Sequence, residues 1–362
     1  LCGSNYQRIA PPVMQEVQPE KKRRSVWIPV GIVFVVIAVI VSWIAYLAVL
    51  APTVQTDAEY FYVHSNDTYD DVMQRIKEEN IVRNYTLFEY MAKAMDLPEN
   101  INPGRYRLDS EMNNRRFIGN LRGGYQEAVK FRFQNVRLKE NFAGLLGQHF
   151  EADSLEFLQV LQDEKTAEKF GFTSDNFFSM FIPNTYEIYW NTNPQKIMAR
   201  FHTEYMNFWN ADRKAKADAL GMTTQEVSTL AAIVKGEAMH TDEMPAIAGL
   251  YINRLKRGML LQADPTVIFA NNDFTIRRVL NRHLTIDNPY NTYRFKGLPP
   301  GPIMMPSIVA IDFVLDYKKH NYIYMCAKDE FSGYHLFATT MTEHLVNARK
   351  FQRALDERNI KR

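Results

Sequence analysis

Cysteine is scarce in this chain of 362 residues, which contains only Cys2 and Cys326. A framework of several disulfides is therefore excluded. The sequence also lacks a G-x-S-x-G turn, a P-loop, the glycine pattern of dinucleotide-binding folds and an H-E-x-x-H motif. These absences remove the usual sequence signals of serine hydrolases, nucleotide-dependent enzymes and zinc peptidases. We expect neither a cofactor nor a metal ion.

A disorder-promoting composition is absent as well. Hydrophobic residues make up 46% of the chain, aromatic residues 13% and charged residues 23%. This composition is typical of a protein with a packed core, and it excludes a disordered or collagen-like chain. The length allows roughly two or three domains.

Charged residues are absent from Val26–Leu50. As a helix this run would be about 37 Å long, which is enough to cross a bilayer. A buried helix of a soluble protein is the alternative, but such helices rarely run this far without one charge. The run is too long for a cleaved signal peptide and lacks a small-residue cleavage site. We therefore predict a retained transmembrane anchor over residues 26–50.

The charges that flank the anchor predict its orientation. Lys21–Arg24 precede it, and Asp57 and Glu59 follow it. Because positive residues remain on the cytoplasmic side, residues 1–25 are expected to form a cytoplasmic tail, and the chain after the anchor is expected to be extracytoplasmic.

Net charge is close to zero outside the anchor region. The first 50 residues hold five basic and two acidic side chains, so the remaining chain holds 38 basic and 39 acidic ones. No basic excess is left to attract a nucleic acid. Nucleic acids are therefore excluded as the main partner.

A small α+β unit is predicted over residues 51–125. Its expected elements are a strand, two helices and a second strand, at Glu59–Val63, Tyr69–Asn80, Thr86–Met95 and Arg105–Leu108. Thr68 can cap the first of these helices, and Gly123 and Gly124 mark the end of the unit. This βααβ order resembles a LysM-type glycan-binding module, although any small α+β unit could share it.

A larger α+β unit is predicted over residues 126–362. Its expected elements are a strand at 128–138, amphipathic helices to about 210, helices from 224, after Asp242 and from Asp264, a hairpin at 322–338 and a final helix from 341. A capping box of Thr223 and Glu226 opens the helix that begins at 224. Asp264 is expected to be an N-cap, which would explain it fully. The predicted fold class is α+β, with a single transmembrane helix, the small module and a larger mixed α+β domain.

Glu237 is the leading candidate for catalysis. It falls between Leu230 and Ile233 at the margin of the apolar stripe of its predicted helix. A carboxyl held against apolar side chains has a raised pKa and can act as a general acid. A solvated helix glutamate is the alternative. Glu237 and His240 are three residues apart, but no further ligand motif accompanies them, so no metal is expected there.

A set of amide, hydroxyl and aromatic side chains follows in the sequence. Such groups suit a sugar polymer, because amides bind hydroxyl and acetamido groups and aromatic faces stack on sugar rings. A polar, loop-rich surface is the alternative. The candidate glycan-binding residues are Asn253, Gln262, Thr266, Tyr290, Asn291, Thr292 and Tyr293.

Several long motifs stand in order in the second half of the chain. They are Leu230–Ala238, Ile247–Leu255, Gly258–Ile268, Asn288–Tyr293, Gly297–Ile303 and, upstream, Pro183–Tyr186. These motifs resemble those of the endolytic murein transglycosylases, the YceG-like proteins. The resemblance is strong from about residue 126 to the end, and the anchor and the small module fit it in order.

Two short motifs depart from the pattern of that family. Family members usually carry Val-Glu-Lys-Glu where this chain has Val234–Glu237, and Pro-Asp-Thr-Tyr where it has Pro183–Tyr186. The catalytic glutamate of the family matches Glu237, which both departures leave in place. The family's charged residues next to the catalytic glutamate are changed in this chain. We expect this change to alter the pKa of Glu237 and the substrate preference.

The resemblance implies cleavage within peptidoglycan strands, between N-acetylmuramic acid and N-acetylglucosamine, with a 1,6-anhydro end on the product. Glu237 would act as general acid and then as base, and Asp264 and Tyr186 would join the substrate-binding residues. The implied partners are glycan strands, the bacterial inner membrane and wall-synthesis enzymes such as penicillin-binding proteins. The catalytic domain would lie in the periplasmic or extracytoplasmic space.

Two other functions stay open at this point. The first is a membrane-anchored glycan-binding scaffold that recruits wall-synthesis enzymes without cutting. The second is a conventional hydrolase, whose products would be heavier by one water.

Overall fold

The computed structural model describes Gly3 and residues 27–358, with side chains from residue 30 onward in the first helix. The predicted cytoplasmic tail, residues 1–25, lies outside the described residues except for Gly3.

Helix α1 spans Trp27–Val49 and is apolar along its whole length. Mean hydropathy over Val30–Val49 is 2.9, and only 6% of this apolar segment is buried within the protein. A helix of 23 residues extends about 35 Å. Helix α1 is therefore long and apolar enough to cross a membrane.

The first folded unit after α1 contains the expected strand, two helices and strand. Its elements are β1 (Tyr60–Val63), α2 (Tyr69–Glu78), α3 (Tyr85–Ala94), β2 (Gly104–Arg107) and α4 (Asn114–Gly123). Strands β1 and β2 pair antiparallel, with Tyr60 opposite Arg107. Thr68 and Asp71 form a capping box at the start of α2. The predicted βααβ order is confirmed, and α4 is an addition to it.

Apolar side chains from every element of this first unit meet in one core. Phe61 of β1 packs edge-on against Phe117 of α4, which also contacts Phe88 of α3. All three rings are fully buried. A hydrogen bond also connects this unit to α1. The Nδ2 atom of Asn114 donates to the carbonyl oxygen of Ala48 at 2.9 Å.

The second unit is mostly helical. In chain order its elements are β3 (Val129–Arg132), α5 (Lys139–Gly147), α6 (Ser154–Gln162), α7 (Glu164–Lys169), β4 (Thr185–Ile188), α8 (Pro194–Phe208), α9 (Ala211–Leu220), α10 (Thr224–Glu237), α11 (Met244–Lys256), α12 (Asp264–Ala270), α13 (Ile308–Leu315), β5 (Tyr324–Ala327), β6 (His335–Ala338) and α14 (Met341–Glu357). Strand β3 pairs antiparallel with β4, and β5 with β6. The fold class is mixed α+β, as predicted.

Helix α10 runs through the core of this second unit. The capping box of Thr223 and Glu226 opens it as predicted. Every residue from Val227 to Val234 is buried, and α11, α12 and α13 pack around it. Because this middle segment of α10 is enclosed, it fixes the position of Glu237 at the end of the helix.

The strand expected over residues 128–138 is shorter in the structure. Only Val129–Arg132 pairs, because the partner strand Thr185–Ile188 offers four residues. Beyond the pairing, Asn135 adopts a positive φ of 56° that ends the extended conformation.

Candidate active site

One cavity of about 470 Å³ opens where six elements of the second unit meet. The end of α10, the middle of α11, the start of α12, the hairpin of β5 and β6, and α14 surround it. Its lining residues are Glu237, Leu250, Tyr251, Arg254, Leu261, Gln262, Asp264, Tyr293, Met325, Cys326, Ala327, His335 and His344. Four of the predicted site residues, Glu237, Gln262, Asp264 and Tyr293, are therefore brought together.

Glu237 is the last residue of α10 and projects into this cavity. The Tyr251 hydroxyl donates a hydrogen bond of 2.8 Å to its Oε1 atom. Burial and the nearby Asp264 carboxyl raise the pKa of Glu237 from its ordinary value near 4.5 to about 7. The Tyr251 hydroxyl, the backbone of Asp264 and the Arg254 charge all act in the opposite direction, and burial outweighs them.

Asp264 is the second carboxyl of the cavity. The Tyr293 hydroxyl donates a hydrogen bond of 2.6 Å to its Oδ1 atom. Burial raises the pKa of Asp264, and the Tyr293 hydrogen bond lowers it. The expectation that Asp264 is an N-cap is wrong, because Ala263 holds that position and Asp264 is the first residue of α12. The Asp264 side chain instead accepts a hydrogen bond from Tyr293, 29 residues further along the chain.

Arg254 is the cation of the cavity and was not predicted as a site residue. Its side chain is only 7% exposed. Its Nε atom donates to the carbonyl oxygen of Ile323 at 2.6 Å, and its Nη1 atom to the carbonyl oxygen of Leu261 at 2.8 Å and to Oε1 of Gln262 at 3.2 Å. No described carboxylate lies within ion-pair distance of the guanidinium. Arg254 therefore joins α11 to the cavity wall and leaves a positive charge beside Glu237.

Gln262 lies in the wall of the cavity with an unusual backbone. Its φ is +52°, a left-handed conformation that costs free energy in residues other than glycine. Its N–H donates to the carbonyl oxygen of Thr292 at 3.1 Å, and its side chain accepts from Arg254. These two contacts hold the strained turn that leads into α12.

The hairpin of β5 and β6 is held over the cavity by Glu243. This glutamate, only 7% exposed, accepts from the backbone N–H of His335 at 2.8 Å, and its Oε2 lies 2.7 Å from the same residue's Nδ1. His335, His344 and Cys326 line the cavity without having been predicted as binding residues. The link spans 92 residues of sequence, so no local pattern could indicate it.

Four of the predicted glycan-binding residues lie outside the cavity lining and are occupied by internal hydrogen bonds. Asn253 donates to the carbonyl oxygens of His320 and Tyr322. Thr266 and Thr292 are buried, and their hydroxyls are 2.8 Å apart. Buried Asn291 donates to two carbonyl oxygens of the preceding loop. These four side chains support the cavity walls, and a direct contact with a glycan stays a prediction without structural support.

The two remaining aromatic candidates are also placed elsewhere. Tyr186 is buried in the aromatic core around β3 and β4, where it packs edge-on against Phe201. Tyr290 lines a second groove beside Phe269, with the ring centroids 4.7 Å apart. Neither ring is part of the cavity that contains Glu237.

Gly236 brings α10 and α12 unusually close. A Cβ atom at this position would lie 2.9 Å from the Pro265 Cβ atom. We expect Gly236→Ala to push the start of α12, and with it Asp264, away from Glu237. The added methyl group overpacks the contact, which costs about 1–3 kcal/mol. Alanine also favours the helix over glycine by about 1 kcal/mol. The free energy of unfolding should therefore fall by about 1 kcal/mol. Urea unfolding measures this change.

An Ala variant at Gly144, where a Cβ atom meets nothing, is the control. Equal or greater stability of Gly236→Ala would contradict the packing argument.

Comparison with known proteins gives one family and a small set of relatives. The profile of the YceG-like family matches residues 61–350. An endolytic murein transglycosylase from Bacillus subtilis is 32% identical over 163 residues, which cover 45% of this chain and 43% of that protein. An endolytic murein transglycosylase from Streptococcus pneumoniae is 32% identical over 127 residues, which cover 34% of this chain and 23% of that protein. The chain thus matches less than half the length of each of these relatives.

A solved structure adds a likeness of fold. The crystal structure of a YceG-like protein from Listeria monocytogenes superposes with a TM-score of 0.50 and 20% sequence identity, over 79% of this chain and 98% of that chain. At this level of identity the likeness concerns the fold alone. Because the family profile spans most of the sequence, the chain belongs to the YceG-like family.

Proposed function

We propose that this chain is an endolytic murein transglycosylase that cleaves peptidoglycan strands between N-acetylmuramic acid and N-acetylglucosamine. The observation that carries the proposal is Glu237, a carboxyl at the wall of a cavity with a pKa raised to about 7. Such a group is protonated in a useful fraction of molecules at neutral pH, as a general acid must be. The names of the matched relatives agree with this activity.

In the proposed reaction Glu237 acts twice. Its proton passes to the glycosidic oxygen, the bond from C1 of the muramic acid to that oxygen breaks, and the electron pair leaves with the oxygen. The C6 hydroxyl of the same sugar then forms a bond to C1, and its proton returns to the Glu237 carboxylate. No water is consumed, and the product ends in a 1,6-anhydro ring. One acid–base group therefore suffices where ordinary glycosidases use two carboxyls.

The neighbours of Glu237 fit the two protonation states. The Tyr251 hydroxyl can donate to the carboxylate after the first transfer. The positive charge of Arg254 lowers the pKa of Glu237 and favours its carboxylate form. The nearby Asp264 carboxyl raises that pKa and favours the acid form. Gln262 and Tyr293 line the same cavity, where they can hold sugar hydroxyl and acetamido groups.

The arrangement along the chain supports a proposed topology. Helix α1 would anchor the protein in the bacterial inner membrane with residues 1–25 in the cytoplasm. Residues 51–125 would form a LysM-like glycan-binding module, and residues 126–362 the catalytic domain outside the cytoplasm. The support for the module is the βααβ order with its antiparallel strand pair. Wall-synthesis enzymes such as penicillin-binding proteins are the proposed protein partners.

The proposed reaction predicts a fall in rate above neutral pH. The first step needs protonated Glu237, whose pKa is about 7, so cleavage should decline as the pH rises through 7. Tyr251→Phe removes a hydrogen bond that lowers the pKa of Glu237, and we expect the decline to move to higher pH. The measurement is the initial rate of soluble product release between pH 5 and 9. An unchanged or lower midpoint in Tyr251→Phe would contradict the role of Glu237 as the acid.

The chemistry of the product tests the proposed function against its alternatives. A 1,6-anhydro end resists reduction by borohydride, whereas a hydrolase leaves a reducible end and adds one water. We expect released fragments that borohydride does not reduce. Reducible ends would identify a hydrolase. Binding of peptidoglycan without any release would identify a non-catalytic scaffold.

A further inference from the structure

A second groove lies at the far end of α12 from the Glu237 cavity. It consists of two adjoining depressions of about 280 and 420 Å³ that share Arg137 and Leu138. Its further lining residues include Asn135, Asn141, Phe269, Phe274 and Tyr290. The groove shares no lining residue with the Glu237 cavity.

The groove presents aromatic rings together with amides. Phe269 and Tyr290 form a tilted pair with centroids 4.7 Å apart, and the guanidinium of Arg137 lies 4.8 Å from the ring centroid of Phe274. The amides of Asn135 and Asn141 border the same space and are exposed. Aromatic faces stack on sugar rings, and amides bind acetamido groups.

The charges in the groove favour a neutral ligand. Two basic residues, Arg137 and Lys139, face two acidic ones, Glu140 and Asp175. Lys139 is already engaged, because its Nζ atom donates to the carbonyl oxygen and the hydroxyl of Ser174, each at 3.0 Å. Because the lining carries equal numbers of basic and acidic groups, it exerts no net electrostatic attraction on an anionic peptide. A sugar polymer is therefore a better occupant than the carboxylate-bearing stem peptides.

The distance between the two sites suits one polymer. Asp264, the first residue of α12, lines the Glu237 cavity, and Phe269 near the end of the same helix lines the groove. Asp264 and Phe269 are five residues apart in α12, so the two sites are about 8 Å apart along the helix axis. A second link is the loop that carries Tyr290 into the groove and Tyr293 into the cavity. A few linked sugar rings span this distance.

We propose that the groove between Arg137, Phe274 and Tyr290 is a second saccharide-binding site that holds a distant part of the strand whose bond lies at Glu237. This inference rests on the proposed function for its ligand. A strand cut at an internal bond extends beyond the cavity on both sides, and a second site outside the cavity would favour long strands over short ones. The groove would thus make the enzyme prefer internal bonds.

The test compares strand lengths in the absence of cleavage. The full chain with Glu237→Gln is prepared in detergent, alone and combined with Arg137→Ala or Phe274→Ala. Binding is measured to long glycan strands with and without their stem peptides, and to a disaccharide, which is too short to occupy both sites. Arg358→Ala, which removes a guanidinium 4.1 Å from the ring centroid of Phe331, is the matched control. Melting temperatures check that the variants fold.

We expect both groove variants to bind long stripped strands about tenfold more weakly, a loss of about 1.4 kcal/mol, and to bind the disaccharide unchanged. Unchanged binding of long stripped strands, or an equal loss for the disaccharide, would overturn the proposal. A loss seen only with strands that keep their stem peptides would also overturn it, in favour of a peptide site. Because this experiment measures binding and not cleavage, its result can be interpreted even if the chain does not cleave glycan strands.

Discussion

Glu237→Gln should reduce the release of soluble fragments from peptidoglycan by about 10³-fold, the range typical of a lost general acid. Glutamine keeps the shape of the side chain and can accept from the Tyr251 hydroxyl, but it has no proton to give to the glycosidic oxygen. The measurement is the rate of release of dye-labelled fragments at pH 6. A matched control is Glu168→Gln, which changes an exposed glutamate of α7 away from the cavity.

Stability separates a catalytic loss from a folding defect in this variant. The pKa of Glu237 is raised from about 4.5 to about 7 by folding, so the folded protein loses stability as the pH rises through that interval. Above pH 7 the Gln variant, which carries no charge, should be at least as stable as the parent. A variant that melts well below the parent at pH 8 would contradict this account of the cavity. Retained activity would remove Glu237 from the mechanism.

Arg254→Ala should lower the free energy of unfolding by about 4 kcal/mol, the largest stability effect we expect from the site. The guanidinium donates to the carbonyl oxygens of Ile323, Leu260 and Leu261 and to the side chain of Gln262. Each hydrogen bond contributes about 1 kcal/mol, and truncation leaves the acceptors unsatisfied. The variant should also release the hairpin, whose Ile323 carbonyl oxygen is bound from α11.

Two further variants make the Arg254 prediction specific. Arg254→Lys keeps the charge but offers one ammonium group instead of a planar fork, so it should recover only part of the stability. Arg257→Ala removes an exposed arginine from the end of the same helix and should change the free energy of unfolding by less than about 0.5 kcal/mol. Urea unfolding of the three variants measures the differences. Similar losses for Arg254→Ala and Arg257→Ala would contradict the structural role of Arg254.

Local signals account for the parts of the fold that the sequence predicts well. Capping boxes at Thr68, Thr223 and Thr340 each place the start of a helix, since both partners lie within three residues. The periodicity of α10 places Glu237 at the edge of its apolar face. Both signals need only neighbouring residues, so the sequence is sufficient to read them.

Long-range contacts account for what the sequence does not predict. Arg254 donates to a carbonyl oxygen 69 residues away, and Glu243 contacts His335 across 92 residues. Asp264 accepts a hydrogen bond from Tyr293, and it is the first residue of α12 instead of the expected N-cap. No local pattern contains such partners.

The polar candidates show a related limit. Asn291 and Thr292 have the side chains that a glycan site needs, yet both are buried and bonded inside the protein. A buried hydrogen-bonded amide or hydroxyl and a ligand-binding one have the same sequence signature. Only their burial in the structure separates them from Gln262 and Tyr293, which line the cavity.

In the proposed reaction, this chain cuts internal glycosidic bonds with Glu237 as its single acid–base group. The most direct test is mass spectrometry of the fragments that the full chain in detergent releases from purified peptidoglycan, beside the Glu237→Gln variant. We expect internal fragments with 1,6-anhydro ends from the parent and none from the variant. Fragments heavier by one water, or the same anhydro fragments from both proteins, would contradict it.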